Sequence, residues 1–153
     1  MSETTPQRSV RRPAPSSTAL WCCILCVLFA LRVIAQALQR WYPQPFLPPF
    51  AAFQGSRLPY PVLLSAQMAI LGWMAAACRR VLAGSQKRGP GINSALSWFG
   101  SAYMAASALR IAVGLLLPDA APWFRAWISG CFHLVLAAFV LGLARLYRTP
   151  QPT

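Results

Sequence analysis

Four long apolar runs leave this chain few folds to choose from. They extend over about residues 19–38, 62–83, 94–117 and 123–144, each near the roughly 20 residues that carry an α-helix across a hydrocarbon core. A helix apolar around its whole circumference must be covered on every side, by other protein or by lipid. A chain of 153 residues has too little other material to bury four such helices beneath a water-facing shell. The expected fold is therefore all-α: a polytopic membrane protein whose transmembrane domain, residues 19–146, is a compact antiparallel four-helix bundle. A disordered, basic, cytoplasmic N-terminus would occupy residues 1–18, and a cytoplasmic tail residues 147–153.

The charges agree with a membrane reading. Only 10% of residues are charged, and 14 basic side chains face two acidic ones, Glu3 and Asp119. A formal charge of +12 could suggest nucleic acid, but that partner needs a basic footprint gathered on one surface. Here the arginines punctuate apolar runs, so no nucleic-acid partner is expected. Arg8, Arg11, Arg12, Arg79, Arg80, Lys87, Arg88, Arg145 and Arg148 share one side of an even-numbered bundle, and Arg40, Arg57 and Arg125 the other. The positive-inside rule then puts both termini in the cytoplasm of a cell with a bacterial-type inner membrane. Trp41, Tyr42, Tyr60, Trp123 and Trp127 would line the outer interface, and Trp21, Trp98 and Tyr147 the inner one.

The connections divide into two kinds. "GPG" at residues 89–91 separates the second and third spans, with Asn93 or Ser94 offering a cap, and "PDAAP" at 118–122 makes the last connection short. Pro61 and Pro122 suit the first turns of helices two and four, where a missing N–H is harmless. Residues 41–61, "WYPQPFLPPFAAFQGSRLPYP", are instead too rich in proline for one regular helix. Their phenylalanines favour burial over free solvent. This outer loop would pack as an interfacial segment on the helix ends, or close as a lid over a lipid-accessible cavity.

Residues 1–37 have some features of a cleavable export signal: Arg11 and Arg12, an apolar core, and a small-x-small site at Ala35-Gln36-Ala37. Arg32 and Gln36 stand between that core and the cut, so a retained first span is expected.

Depth along the helices gathers the internal polar residues. With a rise of 1.5 Å per residue across a core of roughly 30 Å, Arg32 lies ~9 Å, Gln36 ~3 Å, Gln67 ~7 Å and Arg110 ~10 Å below the outer surface, and His133 ~15 Å deep. Tyr103, Ser107, Arg110 and Gly114 form a stripe on the third helix. Ser129, Gly130, His133 and Ala137 form a narrow face on the fourth, suited to close backbone approach. Arg32, Gln36, Gln67, Tyr103, Ser107, Arg110 and His133 are thus candidate lipid- or anion-binding residues.

Several fates are open to the arginines. They can snorkel to outer headgroups, pair with helix-end carbonyls, grip the phosphate or carboxylate that a guanidinium fork fits, or serve catalysis. His133 suits a helix-to-helix hydrogen bond. Haem or quinone shared with a partner is a lesser alternative, and no resident cofactor or metal is expected. Cys22, Cys23, Cys26 and Cys78 lie toward the cytoplasmic ends of the first two spans. They suit small apolar packing, or acylation near the membrane face, better than zinc or redox chemistry.

The motifs and paired carboxylates of common hydrolytic and phosphoryl-transfer chemistries are missing from the sequence. The leading expectation is a non-enzymatic inner-membrane protein. It would act as an accessory subunit or self-associate, or bind an anionic lipid headgroup through its outer-half arginines. A small-anion transporter or channel, and a membrane enzyme acting on a lipid or quinone, are the alternatives.

Overall fold

A computed structural model describes residues 16–54, 58–84, 91–117, 119 and 121–148. The basic segment 1–15, Arg57, Lys87 and Arg88, Gly89 and Pro90 of the "GPG" break, Pro118 and the tail from 149 lie outside the described residues. Four long helices carry the fold: α1 (Ser17–Trp41), α3 (Tyr60–Leu82), α4 (Ile92–Leu116) and α6 (Trp127–Arg148). Two single-turn helices, α2 (Phe50–Phe53) and α5 (Pro122–Arg125), sit in the connections. All four long helices have the length and apolar character to cross a membrane. The molecule is an all-α helical bundle, and a multi-pass membrane topology is consistent with it.

The two sides of α1 show why lipid, and not water, is the matching solvent. Cys22, Leu25, Phe29, Arg32, Val33 and Gln36 are buried, whereas Leu20, Ile24, Val27, Leu28, Leu31, Ile34 and Leu38 are exposed. Arg32 and Gln36 point into the protein, while seven large aliphatic side chains point away from it. In water that arrangement would leave an apolar strip along the whole helix. Around a hydrocarbon core it hides what lipid cannot solvate.

Helix α6 is the organising element, packing against α4 and α1, while α1 packs in turn against α3. Between α3 and α4 there is no substantial packing among the described residues, so the helices follow the spatial order α3, α1, α6, α4. Residue pairs give the register. Cys22 meets Gly142 and Arg32 meets Phe132 across α1 and α6. Ser97 meets Arg148 and Gly100 meets Leu141 across α4 and α6. Trp41 meets Tyr60, and Gln36 meets Gln67, across α1 and α3.

Small residues set the closest approaches. A Cβ on Gly130 would fall 2.7 Å from the Ile111 side chain, one on Gly142 2.8 Å from Cys22 Sγ, and one on Gly114 against the carbonyl of Phe124. Ser129 and Ala137 are buried on the same α6 face. Close backbone approach through small side chains is how apolar helices gain packing energy when lipid competes for every contact.

The connections explain two departures from a simple four-run pattern. Ser16 caps α1 through a hydrogen bond from the Ala19 N–H to its Oγ, so the helix begins earlier than the apolar run and continues to Trp41. At the other departure, Pro122 opens the short α5 and not the long fourth helix, which begins at Trp127. In an uninterrupted helix the Trp123 carbonyl would accept from the N–H four residues on. Here it accepts from the Arg110 side chain, and the chain turns at Ala126 before α6 begins.

Candidate functional site

The polar side chains singled out by depth resolve into three groups near the end of the bundle that carries the proline-rich loop. The first is centred on Gln36, which is fully buried. Its Oε1 accepts from Arg32 Nη1 at 2.5 Å and from Gln67 Nε2 at 3.0 Å. Arg32 Nη2 donates to the Phe53 carbonyl at 3.0 Å, the last residue of α2 and therefore a carbonyl without a helical partner. The guanidinium also lies 5.6 Å from the centre of the Phe132 ring on α6. One arginine thus ties α1 to the loop and to α6, while the glutamine pair ties α1 to α3.

Local sequence makes this possible. A spacing of four puts Arg32 and Gln36 one above the other on a single helix face. Within the proline-rich loop, α2 packs against α6 and α1 and buries Phe53, which brings that carbonyl over Arg32. Tyr60, at the start of α3, packs its ring edge-on against Trp41 at 5.6 Å and Phe50 at 5.3 Å. It stands within electrostatic range of the same guanidinium. The part of residues 41–61 that is described therefore includes a seal over the Arg32 network.

The network is incomplete. Arg32 Nε, Gln36 Nε2, Gln67 Oε1 and the Tyr60 hydroxyl are buried without a hydrogen-bond partner. Buried polar atoms are nearly always paired, and each orphan costs roughly 1–3 kcal/mol. Four such atoms stand around this one network, two donors on Arg32 and Gln36, an acceptor on Gln67 and the Tyr60 hydroxyl.

The second group joins α4 to α6. The Tyr103 hydroxyl and His133 Nδ1 share a hydrogen bond of 2.5 Å, with the rings edge-on at 5.8 Å. His133 accordingly bridges two helices, one turn along α6 from Gly130, whose lack of a side chain lets them approach. Ser107, on the Tyr103 side of α4, is buried. The third group is Arg110, whose Nε and Nη2 both donate to the Trp123 carbonyl, at 3.1 and 2.7 Å, with the guanidinium 4.9 Å from the Trp123 ring centre.

The structure therefore brings Arg32, Gln36 and Gln67 into one hydrogen-bonded set and Tyr103 and His133 into another. Arg110 is held separately, and the two arginines share no hydrogen-bond partner. Phe53, Phe132, Trp123 and Tyr60 were not among the polar residues marked by depth. Two of them act through backbone carbonyls, which every residue has, and two through rings that sequence assigns equally well to lipid.

Among the described residues no group of three or more His, Cys, Asp or Glu side chains is placed to hold a metal ion. Cys22, Cys23, Cys26, Cys78 and Cys131 are free thiols, with Cys22 and Cys78 inside the apolar core. No protein-family model matches this chain, and no curated protein or solved structure matches it either.

Proposed function

We propose that this chain is a non-enzymatic inner-membrane protein that holds an anionic group through the arginines at its loop end, Arg32 and Arg110. In this reading the bundle is compact and antiparallel, both termini are cytoplasmic, and the loop end faces outward. The anion is a lipid headgroup delivered from the outer leaflet. The observation that carries the proposal is an imbalance of charge. Arg32 is only 7% exposed, yet the four spans contain no acidic residue.

A charge at that depth costs several kcal/mol unless something compensates it. Carbonyl, amide and ring contacts compensate Arg32 in part, and its Nε and the neighbouring Gln36 amide still lack acceptors. Phosphate oxygens suit such donors, and a guanidinium presents them in a fixed fork. Arg110 is the more accessible arginine, and both its hydrogen bonds end on a single carbonyl oxygen, so it is the natural first contact.

Native mass spectrometry after gentle extraction tests the reading. Arg110→Leu should lower retention of anionic phospholipid about tenfold, as expected for losing one charge-assisted interaction, while helical content is unchanged. Lipid retention equal to the unaltered protein would overturn the proposal. Loss of a co-purifying polypeptide in place of a lipid would move the anion to a partner's carboxylate and make the chain an accessory subunit.

A further inference from the structure

The opposite end of the molecule, where α1 begins and α6 ends, contains a groove of about 500 Å³ between α1 and α4, lined by α1, α4 and α6. Its volume is within the roughly 300–1,000 Å³ of ordinary ligand sites. The floor is one face of α6, from Ala138 through Leu141 and Gly142 to Arg145, at the spacing that aligns side chains along a helix. Ser17, Thr18 and Trp21 form one wall, and Met104 stands on the other.

The lining changes character along its length. At the helix ends it presents Arg145, two hydroxyls and the first turn of α1. There the amides of Ser17 and Thr18 have no acceptor within their own helix, and the helix dipole favours a negative charge. Seven residues further along α6, about 10 Å deeper by helical rise, it presents only Ala138, Leu141 and Met104. The small side chains of Ala138 and Gly142 leave the floor hollow. Glycine is also required at 142 by the approach of Cys22.

We infer that this groove binds a phospholipid with an anionic headgroup, its phosphate against Arg145 and the start of α1 and one acyl chain along Ala138, Leu141 and Met104. An inorganic anion would leave the apolar length unused, and a hydrocarbon without a headgroup would gain nothing from the positive charge of Arg145 or from the start of α1. An amphiphile uses both. Basic pockets between membrane helices on the cytoplasmic side are places where anionic headgroups collect, and this end of the chain carries Arg79, Arg80, Arg145 and Arg148. The inference is independent of the site at the loop end, because it shares no residue with it.

The test uses the full chain in nanodiscs of phosphatidylcholine with and without phosphatidylglycerol, followed by native mass spectrometry of the released protein. The expected result is retained phosphatidylglycerol, with one bound copy lowered about tenfold by Arg145→Gln and a copy of either lipid lowered by Ala138→Phe, which fills the floor. Arg148→Gln removes the same charge from the same end, at a side chain that donates to Ser97 and does not line the groove, and it should leave retention intact. If Arg148→Gln and Arg145→Gln lose lipid equally, the attraction is a general surface charge and the inference fails. It also fails if inorganic phosphate displaces the retained lipid, since that site would take a headgroup alone. Should Ala138→Phe not fold, the two arginine variants decide the matter. Arg110→Leu removes the copy at the loop end and leaves the copy at this end in place, while Arg145→Gln does the reverse, so counting the bound phosphatidylglycerol molecules in each variant tells failure here from failure at the loop end.

Discussion

Arg32 and Arg110 were equivalent by depth, and the fold makes them opposites. Arg32 is enclosed, with an amide oxygen, a helix-end carbonyl and an aromatic ring around it and orphaned polar atoms in its network. Arg110 is half-buried and directs both its bonds to one carbonyl, beneath the ring of the same residue. The first arginine binds three elements together, α1, α2 and α6. The second joins α4 to the one-turn α5 through the Trp123 carbonyl. The same residue type at a matched position along its span therefore serves as a buried cross-tie in one place and as an accessible tie to a connection in the other. What differs is whether a neighbouring segment closes over it, as α2 closes over Arg32.

The largest effect that could break this contrast is expected at Gln36. Gln36→Leu removes the acceptor shared by Arg32 and Gln67 and leaves a buried charge short of a partner, a loss of about 3–5 kcal/mol. Denaturant-induced unfolding in detergent micelles measures it. Adding Arg32→Leu should recover part of the loss, because the charge goes with its partner. No recovery would mean that Gln36 acts through packing and that Arg32 is not an enclosed charge.

A smaller effect is expected on the Arg110 side. Gly114→Ala drives a methyl group into the Phe124 carbonyl and should destabilise by about 1–3 kcal/mol, the usual cost of overpacking, with α5 displaced from Arg110. Gly72→Ala is the matched control, since nothing lies within 4 Å of its added Cβ; it should be neutral or slightly stabilising. Equal destabilisation by the two would show that α5 is not held against α4 as described. The smallest change is Trp123→Leu, which removes the ring but keeps the backbone carbonyl that Arg110 uses. A loss of about 0.5–1 kcal/mol matches an accessible cation–π contact, whereas several kcal/mol in thermal unfolding would mean that Arg110 is as enclosed as Arg32.

Much of the architecture was legible because it is local. The four spans follow from continuous apolar length, and Arg32 and Gln36 share a face because helical period is a property of one segment. The small-residue face of α6 was visible in Ser129, Gly130 and Ala137 for the same reason. Pro122 was misleading: proline suits any first helical turn, and nothing in the local sequence says that the turn beginning there stops at Arg125. The orphaned Tyr60 hydroxyl and the two backbone carbonyls that receive the arginines were equally hidden.

What the sequence alone determined is the number of apolar spans, the absence of acidic residues within them and the position of each polar side chain along its span, because helical rise and hydrophobic length require no knowledge of neighbours. Only the tertiary structure decided that Arg32 meets Gln36, Phe53 and Phe132, that Arg110 meets Trp123, and that α1 and α4 leave a groove over α6. Those outcomes depend on the rotation of each helix about its own axis and on which helices adjoin. Lateral packing between segments far apart in the chain sets both, and no single segment contains that information.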